Sequence, residues 1–276
     1  MLNPVLDGRV ALITGSGSGI GFAIAQRLAA HGAKVVLSGR SRTHGEAAEK
    51  MLRDMGAQAK YVPVDIAQED DVRKLVDMAI AEFGSLSMLV NNAGPSGETF
   101  GYGALHELPG AIFEQTMRVG AFGAFWACKY ALPHMIAGGG GSVVNISAIP
   151  ATRALPHMGA YAMAKAGLEA LGRQVANDYA VNGIRCNNLV VGTVRPESGD
   201  VSTLPADFDH EPLDRAIAPT TMLGTVGRYA DVAAAALFLV SDQSRYITGA
   251  NIPVEGGALG RVQYPDYTEI MTEAAK

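Results

Sequence analysis

The stretch "TGSGSGIG", Thr14–Gly21, decides the fold of this 276-residue chain. Four of its eight residues are glycine, although each glycine costs about 0.5–1 kcal/mol inside regular structure. The apolar run "VALI" precedes it, and an amphipathic helical pattern follows it. The glycines therefore indicate either a sharp backbone turn or the close approach of another molecule, and the rest of the chain decides between the two.

The same alternation of apolar runs and amphipathic stretches continues along the chain. The predicted strands are Arg9–Thr14, Lys34–Ser38, Ala59–Asp65, Leu86–Asn92, Ser142–Ser147, Ile184–Val190 and Asn251–Gly256. The predicted helices lie near 19–31, 43–55, 68–83, 110–137, 159–182 and 229–241. Strands that are apolar on both faces and alternate with helices indicate a parallel sheet covered on both sides. We expect an α/β fold: a single doubly wound Rossmann domain over 1–276, with about seven strands.

One irregular stretch, 195–219, is rich in Pro and Asp. Loops of this length are usually lids or disordered segments, and sites in doubly wound sheets lie at the carboxyl ends of the strands. We expect a substrate lid near 195–219, with a plain surface excursion as the alternative, and a C-terminal tail over 259–276.

Composition excludes several classes of partner. The net charge is −5 and no basic stripe occurs, so neither nucleic acid nor an anionic membrane is an expected partner. No run of 18 apolar residues, no signal-peptide pattern and no CxxC spacing is present, which predicts a cytoplasmic protein. The six histidines show no HExxH spacing, and we expect no metal site.

The position of the glycine-rich stretch, after a strand and before a helix, is the context of a dinucleotide-binding loop. Gly15 would permit the turn, Gly19 the approach of a pyrophosphate, and Gly21 the close packing of helix on sheet. The free N–H groups and the dipole of the helix N-terminus would then receive the negative charge. The candidate cofactor-binding residues of this loop are Gly15, Ser16, Ser18, Gly19, Ile20 and Gly21.

Four motifs in this order resemble those of the short-chain dehydrogenases/reductases. Thr14–Gly21 is similar to the TGxxxGIG signature of that family, and "NNAG" (Asn91–Gly94) to the motif that closes its fourth strand. "YAMAK" (Tyr161–Lys165) matches its YxxxK catalytic pair, and "VEGG" (Val254–Gly257) its end-of-sheet motif. The resemblance covers roughly residues 7–258. It implies oxidoreductase activity on CH–OH or C=O groups with a nicotinamide cofactor.

Tyr161 and Lys165 also make chemical sense on their own. Residues four apart share a helix face, so an ammonium and a phenol can meet the same ligand. A neighbouring cation favours the phenolate, and lowering the pKa of a tyrosine from about 10 toward neutrality by two units requires about 2.7 kcal/mol. Tyr161 is therefore the predicted general acid/base, and in the family the lysine also holds the nicotinamide ribose.

The end of the second predicted strand suggests which cofactor is used. Gly39 stands where NAD-preferring family members have an acidic residue, and Arg40 and Arg42 follow. A guanidinium can bind a 2′-phosphate through two hydrogen bonds, so NADP is expected and NAD is the less favoured alternative. The resemblance assigns further cofactor contacts to Asp65, Ile66, Asn92, Ala93, Gly94, Gly192 and Val194.

The chain departs from the family at three places. The serine that the family has thirteen residues before the tyrosine is Ala148 here, and Ser147 precedes it. A one-residue shift reverses the side-chain direction on a regular strand, although a bulge can re-aim it; we expect Ser147 to serve as the catalytic donor. Gly120 replaces an asparagine, and "VVGTVRP" replaces PGxxxT, with Val191 and Pro196 at its proline and threonine.

The leading hypothesis is an NADP(H)-dependent enzyme that exchanges hydride with a carbonyl or secondary alcohol on a medium-sized, fairly apolar substrate. The departures leave two alternatives open: an NADP(H)-binding sensor or scaffold with little turnover, or an altered reaction such as enoyl reduction or epimerisation. Apolar residues beyond one buried face in 110–137 and 159–182, together with the resemblance, predict a homo-oligomer, specifically a tetramer.

Overall fold

The computed structural model describes residues 5–196 and 209–261. Its strands are β1 (Val10–Ile13), β2 (Lys34–Gly39), β3 (Ala59–Pro63), β4 (Met88–Asn91), β5 (Gly141–Ala148), β6 (Ile184–Val191), β7 (Val194–Arg195), β8 (Gly227–Arg228) and β9 (Asn251–Val254). Seven of them form one parallel sheet in the order β3-β2-β1-β4-β5-β6-β9, while β7 pairs with β8. The predicted α/β class, with about seven parallel strands, is confirmed.

The helices cover both faces of the sheet. They are α1 (Gly19–Ala30), α2 (Arg42–Asp54), α3 (Glu69–Phe83), α4 (Gly110–Met117), α5 (Gly123–Ala137), α6 (Gly159–Tyr179), α7 (Glu211–Ile217) and α8 (Tyr229–Val240). Alternate β1 residues enter different cores: Ala11 and Ile13 pack with α1, α2 and α8, whereas Val10 and Leu12 pack with α3, α5 and α6. Two-sided burial explains why the strands are apolar throughout. No helix of the described residues is long and apolar enough to cross a membrane.

The helix predicted over 110–137 is divided. A single π turn, Arg118–Phe122, joins α4 to α5. Gly120 lies in this turn, and a Cβ there would be 2.8 Å from Ala164 Cβ and 3.2 Å from Pro95 Cδ. A π turn keeps the apolar character of the stretch but shifts its register, often at a functional site, so periodicity alone did not predict it.

The stretch 195–219 is more regular than expected where the structure describes it. α7 forms within it, with Pro212 in its first turn and an ion pair between Arg215 and Glu211 four residues apart. Arg195 Nη2 lies 2.7 Å from Asp214 Oδ2, which joins the two ends of the stretch. Residues 197–208 of the predicted lid and 262–276 of the predicted tail lie outside the described residues.

The topology places the functional crevice. Strand order reverses between β1 and β4, since the chain moves outward through β2 and β3 and then returns to the other side of β1. Loops that leave neighbouring strands in opposite directions open a crevice at their carboxyl ends. Both the glycine-rich loop after β1 and "NNAG" after β4 stand at this crevice.

Candidate active site

A groove at the carboxyl edge of the sheet contains two adjoining cavities, of about 510 and 340 Å³. Ser18 and Gly94 line both of them. We call the larger the outer cavity, which extends past the end of β2, and the smaller the inner cavity, which contains Tyr161 and Lys165. The groove thus joins the predicted phosphate loop to the predicted catalytic pair.

The glycine-rich loop has the backbone that a bound pyrophosphate needs. Gly15 has φ +63°, and a Cβ there would be 2.9 Å from Ala93 Cα. A Cβ at Gly21 would collide with the Asn92 amide. Ser18, the N-cap of α1, makes no side-chain capping hydrogen bond, so the first N–H groups of the helix remain available to an anion. A dinucleotide phosphate fits this end of α1.

Asn92 fastens that loop to β4. Its Nδ2 donates to Thr14 O at 2.9 Å and to Gly15 O at 2.8 Å. The backbone N–H groups of Asn92 and Ala93 in turn donate to Thr14 Oγ1, each at 3.0 Å. The predicted cofactor residue Asn92 does line the inner cavity, but its side-chain amide holds the loop in shape.

The outer cavity collects several predicted residues at the ends of β2 and β3. Arg40, Asp65 and Ile66 line it, together with Gly15, Ala93 and Gly94. Ser41 and His44 line it as well, although no prediction named them. Ser41 caps α2, since its Oγ accepts from His44 N at 3.3 Å. A serine before a helical pattern is the sequence signal that could have indicated them.

Ser16, a predicted cofactor contact, lines neither cavity. Its side chain is fully buried, and Oγ donates to Ile13 O at 2.7 Å and accepts from Ser38 N at 3.0 Å. Its own N–H donates to Ser38 O at 2.8 Å. Its hydroxyl and its backbone N–H therefore join β1 to β2. Gly19 lines neither cavity, but its backbone is open, with no atom within 4 Å of a Cβ built there.

The inner cavity brings Tyr161 and Lys165 together on one face of α6, as their spacing predicted. Lys165 Nζ lies 5.6 Å from the centre of the Tyr161 ring and donates to Ile146 O at 2.7 Å. Burial lowers the pKa of Lys165 to about 8. Burial, and to a smaller extent Tyr102, raises the pKa of Tyr161 to about 12. Tyr161 is thus a protonated donor at neutral pH.

The hydroxyl of Ser147 is engaged elsewhere. Ser147 is almost fully buried on β5, and Oγ donates to Glu169 Oε1 at 2.7 Å. Its neighbour Ala148, where the family has its serine, lines the inner cavity with Tyr161. The strand remains regular through Ala148, with no bulge to re-aim Ser147. Ser147 lines the inner cavity as well, and its role as the catalytic donor stays a prediction that must account for the proton it gives to a buried carboxyl group.

The remaining predicted residues line the inner cavity. They are Ile20, Gly21, Gly192 and Val194. Tyr229, at the start of α8, lines it too and was not predicted. Among the described residues, no cluster of three or more His, Cys, Asp or Glu side chains could hold a metal ion.

A ladder of asparagines, one from each of four adjacent strands, lies beneath the site. Their amides hydrogen-bond in sequence at 2.7–2.9 Å, and the last donates to Glu169 Oε2 at 2.6 Å. The members, paired in register, are Asn91, Asn145, Asn188 and Asn251. Because these amides hydrogen-bond across neighbouring strands, they help to fix the register of the strands that carry the site. Only the register of the sheet reveals this ladder.

Comparison with known proteins places the chain in a family. The family model described as "Enoyl-(Acyl carrier protein) reductase" matches residues 15–258. The chain is 38% identical to cis-4-hydroxycyclohexanecarboxylate dehydrogenase of Sinomonas cyclohexanicum, over 90% of this chain and 96% of that one. It is 36% identical to 2-(S)-hydroxypropyl-CoM dehydrogenase 3 of Xanthobacter autotrophicus, over 91% and 97%.

Solved structures agree with this placement. A structure from Burkholderia xenovorans, described as a short-chain dehydrogenase/reductase, superimposes with a TM-score of 0.84 at 34% identity, over 94% of this chain and all of that one. The fold, the groove and these relatives agree with the order of the motifs. The chain therefore belongs to the short-chain dehydrogenases/reductases and is an oxidoreductase that acts on CH–OH groups.

Proposed function

We propose that the protein is an NADP(H)-dependent dehydrogenase/reductase in which Tyr161 exchanges a proton with the oxygen of a carbonyl or secondary alcohol. The observation that carries the proposal is the continuity of the groove, from the uncapped N-terminus of α1 to the Tyr161–Lys165 pair. The nicotinamide, when bound, supplies or accepts the hydride. Gly192, Val194 and Lys165 would hold its end of the cofactor.

Proton transfer in this scheme rests on Tyr161. Burial keeps its hydroxyl protonated at neutral pH, with a pKa of about 12, so it can donate to a developing alkoxide during carbonyl reduction. In the opposite direction it must first lose that proton, and the Lys165 ammonium, 5.6 Å from the ring centre, favours the phenolate. Tyr161 therefore serves both directions: it donates a proton in reduction and accepts one in oxidation.

The preference for NADP over NAD is supported by the outer cavity. Gly39 offers no carboxylate to a ribose 2′-hydroxyl, while Arg40 and His44 line the same wall. Tyr61 Oη lies 2.6 Å from Gly39 O and 3.0 Å from Ser41 O, which fixes the loop that carries Arg40. An exposed guanidinium on a fixed loop suits a 2′-phosphate.

A medium-sized, fairly apolar substrate fits the side chains around the groove. Tyr102, Leu105 and Leu155 are exposed near the start of α6. The Sinomonas relative is a dehydrogenase of a hydroxycyclohexane carboxylate, a cyclic secondary alcohol. A medium-sized ketone or secondary alcohol, such as a cyclic one, is the class of substrate that these observations favour. The stretch 195–219 would act as its lid, joined at its two ends by Arg195 and Asp214.

A homo-oligomer, specifically a tetramer, is part of the same proposal. The side chains of Phe122, Phe125 and Met163 are 42%, 51% and 53% exposed on the π turn, α5 and α6. Large apolar side chains clustered on the surface suit a protein contact. Light scattering at micromolar concentration tests it, and a monomeric mass would exclude it.

The decisive experiment mixes purified protein with NADPH and a panel of ketones, and follows cofactor absorbance beside a binding titration. Turnover of a ketone, with NADPH bound more tightly than NADH, supports the proposal. Tight NADPH binding without turnover of any ketone or alcohol would favour the alternative of a sensor or scaffold. Ala148 and Gly120 replace the serine and the asparagine of the family. Both the sensor or scaffold alternative and the alternative of an altered reaction therefore remain open. Enoyl substrates in the same panel would detect altered chemistry.

A further inference from the structure

Tyr161 lies in a stack of three aromatic rings that no family motif predicts. The centres of the Phe100 and Tyr161 rings are 4.3 Å apart, and the ring planes differ by 12°. Tyr102 covers the other face of Phe100, with centres 4.5 Å apart and planes at 15°. Phe100 is thus sandwiched between the two tyrosines, one of them the proposed acid/base.

The segment 97–105, which carries Phe100 and Tyr102, is hydrogen-bonded to and packed against the elements around it. Thr116 Oγ1 of α4 donates to Thr99 O at 2.8 Å, and Gly103 N donates to His157 O at 3.1 Å. Gly101 has φ +66°, and a Cβ there would be 3.0 Å from Ala160 Cβ at the start of α6. Phe100 is therefore held by a fixed backbone next to Tyr161.

The Tyr161 hydroxyl has no hydrogen-bond partner among residues 5–196 and 209–261. Ala148 and Gly120 carry no polar side chain where the family has a serine and an asparagine. The outer torsion of a tyrosine is broad, so the ring needs packing to define its plane. Phe100 supplies a parallel face, and Lys165 Nζ is the cation near the ring.

We propose that Phe100 is a positioning residue for Tyr161: its ring, packed on one face of Tyr161, fixes the plane of the Tyr161 ring and with it the direction of the phenolic O–H bond, which lies in that plane, and keeps water from that face. This inference rests on the proposed acid/base role of Tyr161. In other family members a serine and an asparagine stand near the tyrosine. Here Ala148 and Gly120 replace them, and the stacked ring of Phe100 orients Tyr161 instead. The parallel stack covers one face of the Tyr161 ring.

The test replaces the ring by an aliphatic side chain. Phe100→Leu should lower kcat about tenfold or more, since a displacement of about 1 Å can cost 10²-fold. NADPH affinity should stay parental, because Phe100 lines neither cavity. Phe100→Tyr keeps the stacked ring and should restore a rate close to the parental one. Phe83→Leu is the matched control, because it makes the same substitution away from the groove. Phe83 lies at the end of α3, near Lys34 at the amino end of β2.

A second readout needs no turnover. The tyrosinate absorbance of the parent minus that of Tyr161→Phe reports the ionisation of Tyr161 alone. Desolvation is the main cause of its raised pKa, while Tyr102 adds to the rise and Lys165 is the nearby cation. Phe100→Leu admits water to the ring, so the pKa of Tyr161 should fall, and the pH at which alcohol oxidation rises should fall with it. A loss of packing elsewhere would lower activity without moving this titration.

The outcomes separate the inference from the proposed function. If Tyr161→Phe retains activity, the proposed function fails. If Tyr161→Phe is inactive while Phe100→Leu keeps the parental kcat and titration, the positioning role of Phe100 is wrong and the proposed function stands. Phe100→Met replaces Phe100→Leu if the latter does not fold. Should neither variant fold, Phe100 is a residue of the fold and the inference is overturned.

Discussion

The outer and inner cavities of the groove follow different rules. The outer cavity includes the glycine-rich loop after β1, and it keeps the family pattern through Gly15, Ala93 and Gly94. The inner cavity depends on side chains, and there the chain departs from the pattern at Ala148. Backbone contacts with phosphate tolerate almost no change, because only glycine fits them. Catalytic side chains can be replaced where packing preserves the geometry.

The largest expected effect concerns the inner cavity. Tyr161→Phe removes only the hydroxyl, so NADPH should bind as before while turnover falls by about 10²–10⁴-fold. Steady-state kinetics beside a fluorescence titration of NADPH measures both quantities. Parental turnover in this variant would show that Tyr161 is not the proton donor and that the chemistry does not depend on this side chain of the inner cavity.

The buried ammonium group of Lys165 should lower the free energy of unfolding of the protein. Burial lowers its pKa from 10.5 to about 8, so below pH 8 the folded state must hold a buried charge that the unfolded state holds in water. Lys165→Met should therefore raise the free energy of unfolding at pH 7 by about 1–3 kcal/mol, even after its hydrogen bond to Ile146 O is lost.

The sign of this effect can be checked by pH. The parent gains stability between pH 8 and 10.5, because its unfolded state binds the proton that the folded state has released. The advantage of Lys165→Met should shrink over the same range in urea unfolding. Lys50→Met, at an exposed ion pair with Asp54, should change stability by under about 0.5 kcal/mol. Equal stability of parent and Lys165→Met at pH 7 would contradict the burial cost.

Arg40 provides the matching test of the outer cavity. Arg40→Ala should weaken NADPH about tenfold to hundredfold, the loss of one or two hydrogen bonds to a charged group, and leave NADH nearly unchanged. Arg42→Ala is the control, because Arg42 pairs with Glu46 at 3.5 Å and does not line the outer cavity. Isothermal titration with both cofactors measures the difference. Equal weakening of NADPH and NADH by Arg40→Ala would refute the NADP preference.

The smallest expected effect concerns Ser147 and Ala148 on β5, and it tests which of these two positions contributes to catalysis. Ala148→Ser restores the family's side chain in the inner cavity and should raise kcat, up to about tenfold, by adding one donor to the developing oxyanion. Ser147→Ala should keep the parental kcat but lower the free energy of unfolding by about 1–3 kcal/mol, because buried Glu169 loses a donor. A hundredfold loss of kcat in a folded Ser147→Ala variant would instead make Ser147 the catalytic donor.

Several features followed from residue patterns alone. Apolar runs with two-sided burial gave the seven strands, since periodicity reports which faces are covered. The spacing of Tyr161 and Lys165 placed them on one face of α6, because four residues make about one helical turn. The glycines after β1 predicted the tight loop that leads into α1. Each of these signals is local, so a stretch of a few residues contains it.

The features that were missed depend on contacts between distant segments. The π turn at Gly120 arises where Ala164 and Pro95 meet it. The hydroxyl of Ser16 joins β1 to β2, and the hydroxyl of Ser147 gives its proton to Glu169. No local pattern shows which partner a buried hydroxyl will choose, because that partner arrives from another element.

The sequence by itself therefore determined the sheet, its helical layers, the glycine-rich loop after β1 and the family. Only the tertiary structure decided which side chains face the groove, how the asparagine ladder sets the register, and that Phe100 lies against Tyr161. The physical reason is that secondary structure and tight turns follow from neighbours along the chain. The direction of a hydrogen bond or a ring stack follows from neighbours in space, and these are set only when the helices pack on the sheet.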